Sequence, residues 1–144
     1  MSWFLSFLFA FCPTCSSEAP ASETEKPLRV FISFSVPLES WKDLSHQLEK
    51  TEGYFVIRGL PENSFEKFAE KLIELRSSGI NAPIDIDPES FEKHGIQAVP
   101  TIVLEDDKIT GNLRLDAALR KIVEAGDSSK RALELLMQLE SKSD

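Results

Sequence analysis

A C-x-x-C pair is the arrangement in this sequence whose residue types and spacing could carry out redox chemistry. It is formed by Cys12 and Cys15 in the stretch "CPTC", and these are the only two cysteines in 144 residues. Two thiols at this spacing exchange disulfides when the start of a folded helix and neighbouring charges stabilise the thiolate. The first question is therefore whether the pair belongs to a folded domain.

The segment around the two cysteines is typical of a secretory leader. Residues 3–11 read "WFLSFLFAF", an uncharged apolar run with no Lys or Arg before it, and Ala19-x-Ala21 follows a short polar stretch. This layout indicates a signal peptide over residues 1–21 that is cleaved near Ala21, and the apolar run is too short to span a membrane. Cleavage would remove both cysteines. We therefore predict export to the periplasm and a mature protein without a thiol.

Two alternatives to a cleaved leader stay open at this point. A retained N-terminus would leave Cys12 and Cys15 as the redox pair of a thiol–disulfide oxidoreductase or isomerase of the cell envelope. A retained apolar segment would instead anchor a cytosolic adaptor protein.

The composition is that of one ordinary globular domain. Hydrophobic residues make up 42% and charged residues 28% of the chain, which is enough apolar material for a core. The formal net charge is −8, without a run of basic residues, and this balance argues against nucleic acid or an anionic membrane surface as a partner.

Short apolar segments alternate with amphipathic ones after a polar linker over residues 22–27. The segments "LRVFISFS", "YFVIRG", "APIDI", "PTIVLE" and "ITG" predict strands, because they are rich in β-branched and aromatic residues. Strand–helix–strand–helix followed by a hairpin and a helix predicts parallel first strands and an antiparallel last pair. The predicted fold class is α/β, a three-layer domain over residues 28–125 with helices on both faces of a mixed central sheet. An extra C-terminal helix follows within residues 126–144.

The helices are predicted from apolar residues at helical spacing. The first begins near Pro37, and the second begins after Asn63 as its N-cap. Asp87 caps a short third helix that begins at Pro88. The predicted inner faces are Leu38, Trp41, Leu44 and Leu48 in the first helix; Phe65, Phe68, Ala69, Leu72 and Leu75 in the second; Leu115, Ala118, Leu119 and Ile122 in the fourth; and Leu133, Leu136 and Leu139 in the last.

The stretch "KHGIQAVPTIVLEDDKITG" resembles the C-terminal half of the thioredoxin fold. In that fold a helix ending in "GI" leads to a strand begun by proline, a charged turn and a partner strand. The proline that matches Pro100 is cis there, so the resemblance implies a cis Val99–Pro100 peptide, and an X–Pro bond is the one at which the cis form costs little. The alternative is a trans proline at the first residue of an edge strand.

Thioredoxin-like enzymes carry their C-x-x-C directly after the first strand, at the start of the next helix. The matching stretch here, "SFSVPLESW" from Ser33 to Trp41, contains no cysteine. A serine hydroxyl stays protonated near neutral pH unless a base activates it, and neither His46 nor His94 is expected to serve as that base. We therefore predict no catalytic residue, no metal site and no cofactor.

Four short motifs in order resemble the TrbC family of F-type conjugative transfer. They are Ser33-Phe34-Ser35 with Pro37, Arg58-Gly59-Leu60, Ile86-Asp87-Pro88 and Val99-Pro100-Thr101. The resemblance covers roughly Arg29 to Ile122. It implies an exported periplasmic protein, thioredoxin-like in shape and without established catalysis, that is needed to assemble the conjugative pilus of a type IV secretion system. Its partners would be other conjugative-transfer or pilus-assembly proteins of the envelope.

A partner-binding surface is predicted at the carboxyl edge of the sheet, where α/β folds usually bind ligands. In redox members of the thioredoxin fold this surface binds an extended peptide beside the cis proline, so the resemblance implies peptide contact without bond exchange. The predicted site residues are Ser33, Ser35, Val36, Pro37, Arg58, Gly59, Asp87, Val99 and Pro100.

Some of these polar residues have structural alternatives. Ser35 could cap the following helix, and Arg58 could form an ion pair with Asp87. Asp85 and Asp87 could form an acid–base pair, but the Asp87-Pro88 step favours capping. The leucines of the last helix could dock on their own domain or on a partner helix, and we favour the former.

Overall fold

A computed structural model describes residues 27–142. The predicted signal peptide, Cys12 and Cys15, and the predicted linker up to residue 26 lie outside the described residues. The described strands are β1 (Arg29–Phe31), β2 (Tyr54–Ile57), β3 (Ile84–Ile86), β4 (Thr101–Leu104) and β5 (Asp107–Thr110). The α-helices are α1 (Leu38–Thr51), α2 (Phe65–Ser77), α3 (Pro88–Lys93), α4 (Leu115–Ala125) and α5 (Ser129–Ser141), and a 3-10 turn at Pro61–Asn63 precedes α2. None of these helices is long and apolar enough to cross a membrane.

The strands form one mixed sheet in the order β3-β2-β1-β4-β5. The first three strands are parallel to one another, while β4 is antiparallel to β1 and β5 is antiparallel to β4. Parallel neighbours need a crossover connection, which α1 and α2 supply. The predicted mixed sheet, with a parallel start and a final hairpin, is confirmed.

The two faces of the sheet carry different cores, because alternate residues of a strand point to opposite sides. Val30, Phe55 and Ile102 belong to the larger core, together with apolar residues of α1, α2, α4 and α5. Phe31 and Val56 belong to the smaller core, which includes one residue of α3. Four of the five described helices therefore cover one face, and the six-residue α3 covers the other.

Gln47 joins α1 to the start of α4. Its side-chain Nε2 donates a hydrogen bond to Asp116 Oδ1 at 3.0 Å, and its Oε1 accepts one from the Leu115 amide at 2.7 Å. Burial alone would raise the pKa of Asp116, but the bond from Gln47 and the charge of Arg114 together lower it. The predicted inner face of α4 is confirmed: Leu115, Ala118, Leu119 and Ile122 are buried.

The predicted N-caps of α2 and α3 can be compared with the structure. Asn63 is not the N-cap of α2, because it has a φ of 53° and belongs to the 3-10 turn. Ser64 takes that position, and its Oγ accepts a hydrogen bond from the Lys67 amide at 3.3 Å. The predicted cap of α3 is confirmed, since Asp87 Oδ1 accepts a hydrogen bond from the Ser90 amide at 3.0 Å.

The predicted inner faces are correct for α1 and partly wrong for α2. In α1, Trp41, Leu44 and Leu48 are buried and Leu38 is half-buried. In α2, Leu75 is buried and Phe68 and Leu72 are half-buried, but Phe65 and Ala69 are exposed. Phe65 and Ala69 lie towards one margin of the predicted face and Phe68 and Leu75 towards the other, and only the second margin packs on the core.

Helix α5 packs against α4 and α1. Leu136 and Leu139 are buried, which confirms that these leucines dock on the chain's own domain. Leu133 was predicted to be buried as well, but it is exposed and Leu135 is buried in its place. The division of the chain at residue 126 stays a prediction.

Candidate partner-binding site

The sheet topology places the predicted site residues at one edge. The segment Ser33–Pro37 follows β1, Arg58 and Gly59 follow β2, and Asp87 follows β3. These three strands are parallel, so their carboxyl ends meet at the same edge. Because β4 is antiparallel, its first residue pairs with the last residue of β1, and this brings the segment before β4, with Val99 and Pro100, to that edge as well.

The segment after β1 forms a tight turn that presents polar and apolar groups. The Val36 amide donates a hydrogen bond to the Ser33 carbonyl at 3.1 Å, and the two hydroxyls of Ser33 and Ser35 lie 2.5 Å apart. Ser35 does not cap α1, because Pro37 occupies the N-cap position and no side chain caps the helix there. Ser35 and Pro37 are exposed, whereas Val36 is half-buried.

A shallow apolar cavity lies beside this turn. It has a volume of about 130 Å³ and lies between the segment after β1, the start of α1 and one side of α2. Lys71 and Glu74, which form an ion pair at 2.8 Å, are its charged lining residues. The sequence analysis missed this cavity because its lining comes from distant segments. The apolar lining residues are Phe34, Val36, Leu38, Trp41 and Leu75.

Arg58 and Gly59 are both exposed. Within residues 27–142 no ion pair joins Arg58 to Asp87, so that alternative for Arg58 is wrong. A Cβ atom added at Gly59 would have nothing within 4 Å, so the backbone there makes no close approach to another group. Arg58 therefore presents its guanidinium to solvent at the sheet edge.

The Asp87 carboxylate caps the N-terminus of α3 and does not pair with Arg58. Besides the bond from the Ser90 amide, it accepts a hydrogen bond from the Ser90 hydroxyl. The hydroxyl bond, and after it the amide bond, lower the pKa of Asp87, and the charge of Arg29 adds to the effect. Asp85 accepts a hydrogen bond from the Ile86 amide at 2.9 Å. The two carboxylates thus have separate structural contacts, which supports capping over an acid–base pair.

The residues of the segment before β4 differ in exposure, and the predicted Val99 is half-buried. The Val99–Pro100 peptide is cis, and Pro100 itself is buried. Its carbonyl accepts a hydrogen bond from the Gly111 amide at 3.0 Å, which ties it to the end of β5. Gln97 and Ala98 are the exposed residues of this loop. The exposed surface of this loop is therefore formed by Gln97 and Ala98 and not by Pro100.

The remaining candidates for chemistry in the described chain are metal-ligand clusters and the two histidines. Within residues 27–142, no group of three or more His, Cys, Asp or Glu side chains could hold a metal ion. His46 is exposed in α1. His94 follows α3, and its ring centroid lies 5.7 Å from that of Phe31 in the smaller core.

A second, larger cavity lies away from the predicted edge. It has a volume of about 380 Å³ and lies between α1, the end of α2 and the residue before α4. Its lining mixes charges of both signs, and Arg114 already forms an ion pair with Asp116 at 3.2 Å. A cavity without an apolar floor or convergent charge of one sign gives no indication of a ligand.

Comparison with known proteins identifies the family. Residues 30–134 match the family model of the type-F conjugative transfer system pilin assembly protein, TrbC_Ftype. The chain belongs to this family. The resemblance to TrbC expected from the sequence is thereby confirmed, and the match includes all elements from α1 to α4 in full.

A curated relative supports this membership. Over 123 residues the chain is 33% identical to a protein of Escherichia coli (strain K12) described as "Periplasmic protein TrbC". The alignment covers 81% of this chain and 58% of the relative, so the chain spans less than two thirds of the length of that TrbC protein. No solved structure matches the chain. The nine predicted site residues stay a prediction.

Proposed function

We propose that this protein is a periplasmic assembly protein for the conjugative pilus of an F-type type IV secretion system, and that it acts by protein–protein contact. The observation that carries the proposal is the match of residues 30–134 to the pilin assembly family. The relative from Escherichia coli is described as periplasmic, which agrees with the leader-like residues 1–21. Its partners are other conjugative-transfer or pilus-assembly proteins of the envelope.

The proposed role is non-catalytic. The stretch from Ser33 to Trp41, where a thioredoxin-like enzyme carries its cysteines, has serines whose hydroxyls hydrogen-bond to each other. A hydroxyl needs an adjacent base to become a nucleophile, and its neighbour at 2.5 Å is another hydroxyl. The alternative of an oxidoreductase would have to use Cys12 and Cys15, which precede the described residues, and the comparisons give no indication of that activity.

We further infer that the domain is thioredoxin-like. The support is its order of elements: two crossovers that build three parallel strands, then α3, an antiparallel hairpin and a helix on the larger core. The chain thus has this strand order, but the segment that follows β1 contains no cysteine. A scaffold of this kind retains the peptide-docking edge and has no means of disulfide exchange there.

The contact surface is proposed to be the edge formed by Ser33–Pro37, Arg58 and the loop before β4. It combines the apolar cavity beside Val36 with an exposed guanidinium at Arg58. Interface hot spots are enriched in Arg and in residues that fill apolar pockets, and both become desolvated when the partner binds. The surface suits a partner segment that places an apolar side chain near a carboxylate.

The test is complementation of a conjugative donor whose copy of this gene is deleted. The unaltered gene should restore pili and plasmid transfer. A Val36→Asp, Arg58→Ala double variant should lower transfer at least about tenfold, because two hot-spot contacts are lost. The control is Val123→Asp with Arg120→Ala, since Val123 is also half-buried and packed against the larger core and Arg120 is also exposed.

The outcomes separate the function from the site. If pili and transfer are normal without the gene, the proposed function is wrong. The same envelope proteins should also be looked for by co-purification with the unaltered chain and with the double variant. If the double variant retains all of them and restores plasmid transfer fully, the proposed function stands and the site assignment is wrong.

A further inference from the structure

A line of exposed apolar residues runs along α2. The side chains of Phe65 and Ile73 are 76% and 66% exposed, and Ala69 between them is exposed as well. Residues four apart share one side of a helix, so the three form a single stripe. The neighbouring side of the helix, with Phe68 and Leu75, faces the larger core. The chain's own core therefore leaves this stripe uncovered.

The charges of α2 are arranged with opposite signs at its two ends. Glu62 and Glu66 lie at the N-terminal end, and within residues 27–142 neither forms an ion pair. Arg76 lies in the last turn, where its Nη1 donates hydrogen bonds to two main-chain carbonyls at 2.7 and 3.1 Å and no described carboxylate pairs with it. The charged residues in the middle of the helix pair locally, Lys67 with Glu70 and Lys71 with Glu74.

We propose that α2 binds α2 of a second copy of this chain, antiparallel, about a two-fold axis at Ala69. In that register Phe65 of one copy meets Ile73 of the other, twice, and the small Ala69 side chains allow the helices to approach closely. The acidic end of each helix then meets Arg76 of the other copy. The stripe and its end charges are self-complementary, as a two-fold interface requires.

The size of the surface sets the strength of the contact. Helix α2 has 13 residues and is therefore about 20 Å long. One such helix pair buries less than the roughly 1,200 Å² of a stable specific interface, so the dissociation constant should be weaker than about 10 µM. None of the nine predicted site residues lies in α2. Helix α2 does line the cavity of the docking edge, but through Lys71, Glu74 and Leu75, none of which belongs to the stripe. The dimer would therefore leave that edge uncovered and would present two such edges.

Cysteine cross-linking in cells tests the register. The full chain carries Cys12→Ser and Cys15→Ser, and a single new cysteine is introduced by Ala69→Cys or, as the control, by Ser77→Cys, both at exposed positions. After oxidation with copper phenanthroline, Ala69→Cys should give a disulfide-linked dimer, because the residue faces its own copy across the axis. Ser77→Cys should not, because its two copies would lie about 24 Å apart. Equal cross-linking of the two variants, or none with Ala69→Cys, would overturn the proposal.

Sedimentation equilibrium of the purified full chain tests the affinity. The unaltered protein should shift from monomer towards dimer as its concentration rises to the millimolar range. Phe65→Ser with Ile73→Ser should stay monomeric, whereas Leu133→Ser with Met137→Ser, which removes the exposed apolar residues of α5, should still dimerise. A monomer at millimolar concentration overturns the proposal. If that monomeric chain still supports pilus assembly, the proposed function is unaffected.

Discussion

Phe34 stacks on Trp41, with ring centroids 5.8 Å apart and planes 17° apart. Phe34 also meets Phe68 of α2 edge-on, at 6.5 Å. Since Trp41 is buried in α1, these two contacts hold the segment after β1 against two helices. That segment supplies four of the nine predicted site residues, so the shape of the proposed docking edge depends on this aromatic cluster.

Replacing Phe34 by alanine should destabilise the protein and loosen the edge. The half-buried ring loses its contacts with Trp41 and Phe68, and we expect the free energy of unfolding to fall by about 1–2 kcal/mol in urea denaturation. Phe65→Ala is the matched control. Its ring is 76% exposed, so at micromolar concentration the change should stay within about 0.5 kcal/mol. Equal losses for the two variants would contradict the role of the aromatic cluster.

The connection between α4 and α5 depends on Gly126. A Cβ atom there would lie 2.7 Å from Asp107 Oδ2, the atom that accepts a hydrogen bond from the Ser128 amide at 2.7 Å. Gly126→Ala should therefore displace Asp107 and lower the free energy of unfolding by about 1–3 kcal/mol. Gly59→Ala should change it by less than about 0.5 kcal/mol, because a Cβ there meets nothing within 4 Å. Thermal denaturation of the two variants side by side decides between these outcomes.

Several elements could be predicted from the sequence because their signal is local. The strands around Val30, Phe55 and Ile102 are dense in β-branched and aromatic residues, and α4 has one clean apolar face. In α2 and α5 the apolar residues occupy more than one side of the helix. The spacing of Phe65 or Leu133 is compatible with an inward position, and only the packing of the whole domain shows that they point outward.

The position of the candidate site at one edge of the sheet could be predicted from the strand order, but the residues exposed at that edge could not. Parallel strand order alone brings Ser33, Arg58 and Asp87 to one edge. The burial of Pro100 and the exposure of Gln97 and Ala98 depend on how the loop before β4 meets the end of β5. The apolar cavity and the absence of an Arg58–Asp87 ion pair likewise depend on side-chain packing between distant segments, which spacing along one chain does not encode.

Asp87 should make stability depend on pH. Its lowered pKa means that the carboxylate stabilises the folded state above about pH 4, and that this contribution is lost as the pH falls through the lowered value. Asp87→Ala removes the cap of α3 and should cost about 1 kcal/mol at pH 7. The gap between the unaltered chain and Asp87→Ala should narrow as the pH falls below about 4 in denaturation experiments, because the protonated carboxyl is a weaker acceptor. Asp87→Asn, which keeps an accepting oxygen, should lose less at pH 7, and a gap that is constant with pH would exclude this linkage.

Replacing both leader cysteines should leave conjugation intact. The proposed role depends on contacts at the sheet edge, and the stretch from Ser33 to Trp41 supplies no thiol to exchange with a partner. A donor that carries Cys12→Ser and Cys15→Ser should therefore transfer its plasmid at the unaltered frequency, with the same amount of protein in the periplasmic fraction. Intact-mass measurement of that protein should show a chain that begins after Ala21. If transfer is lost while the protein level is normal, the cysteines take part in the function, and the oxidoreductase alternative replaces the non-catalytic one.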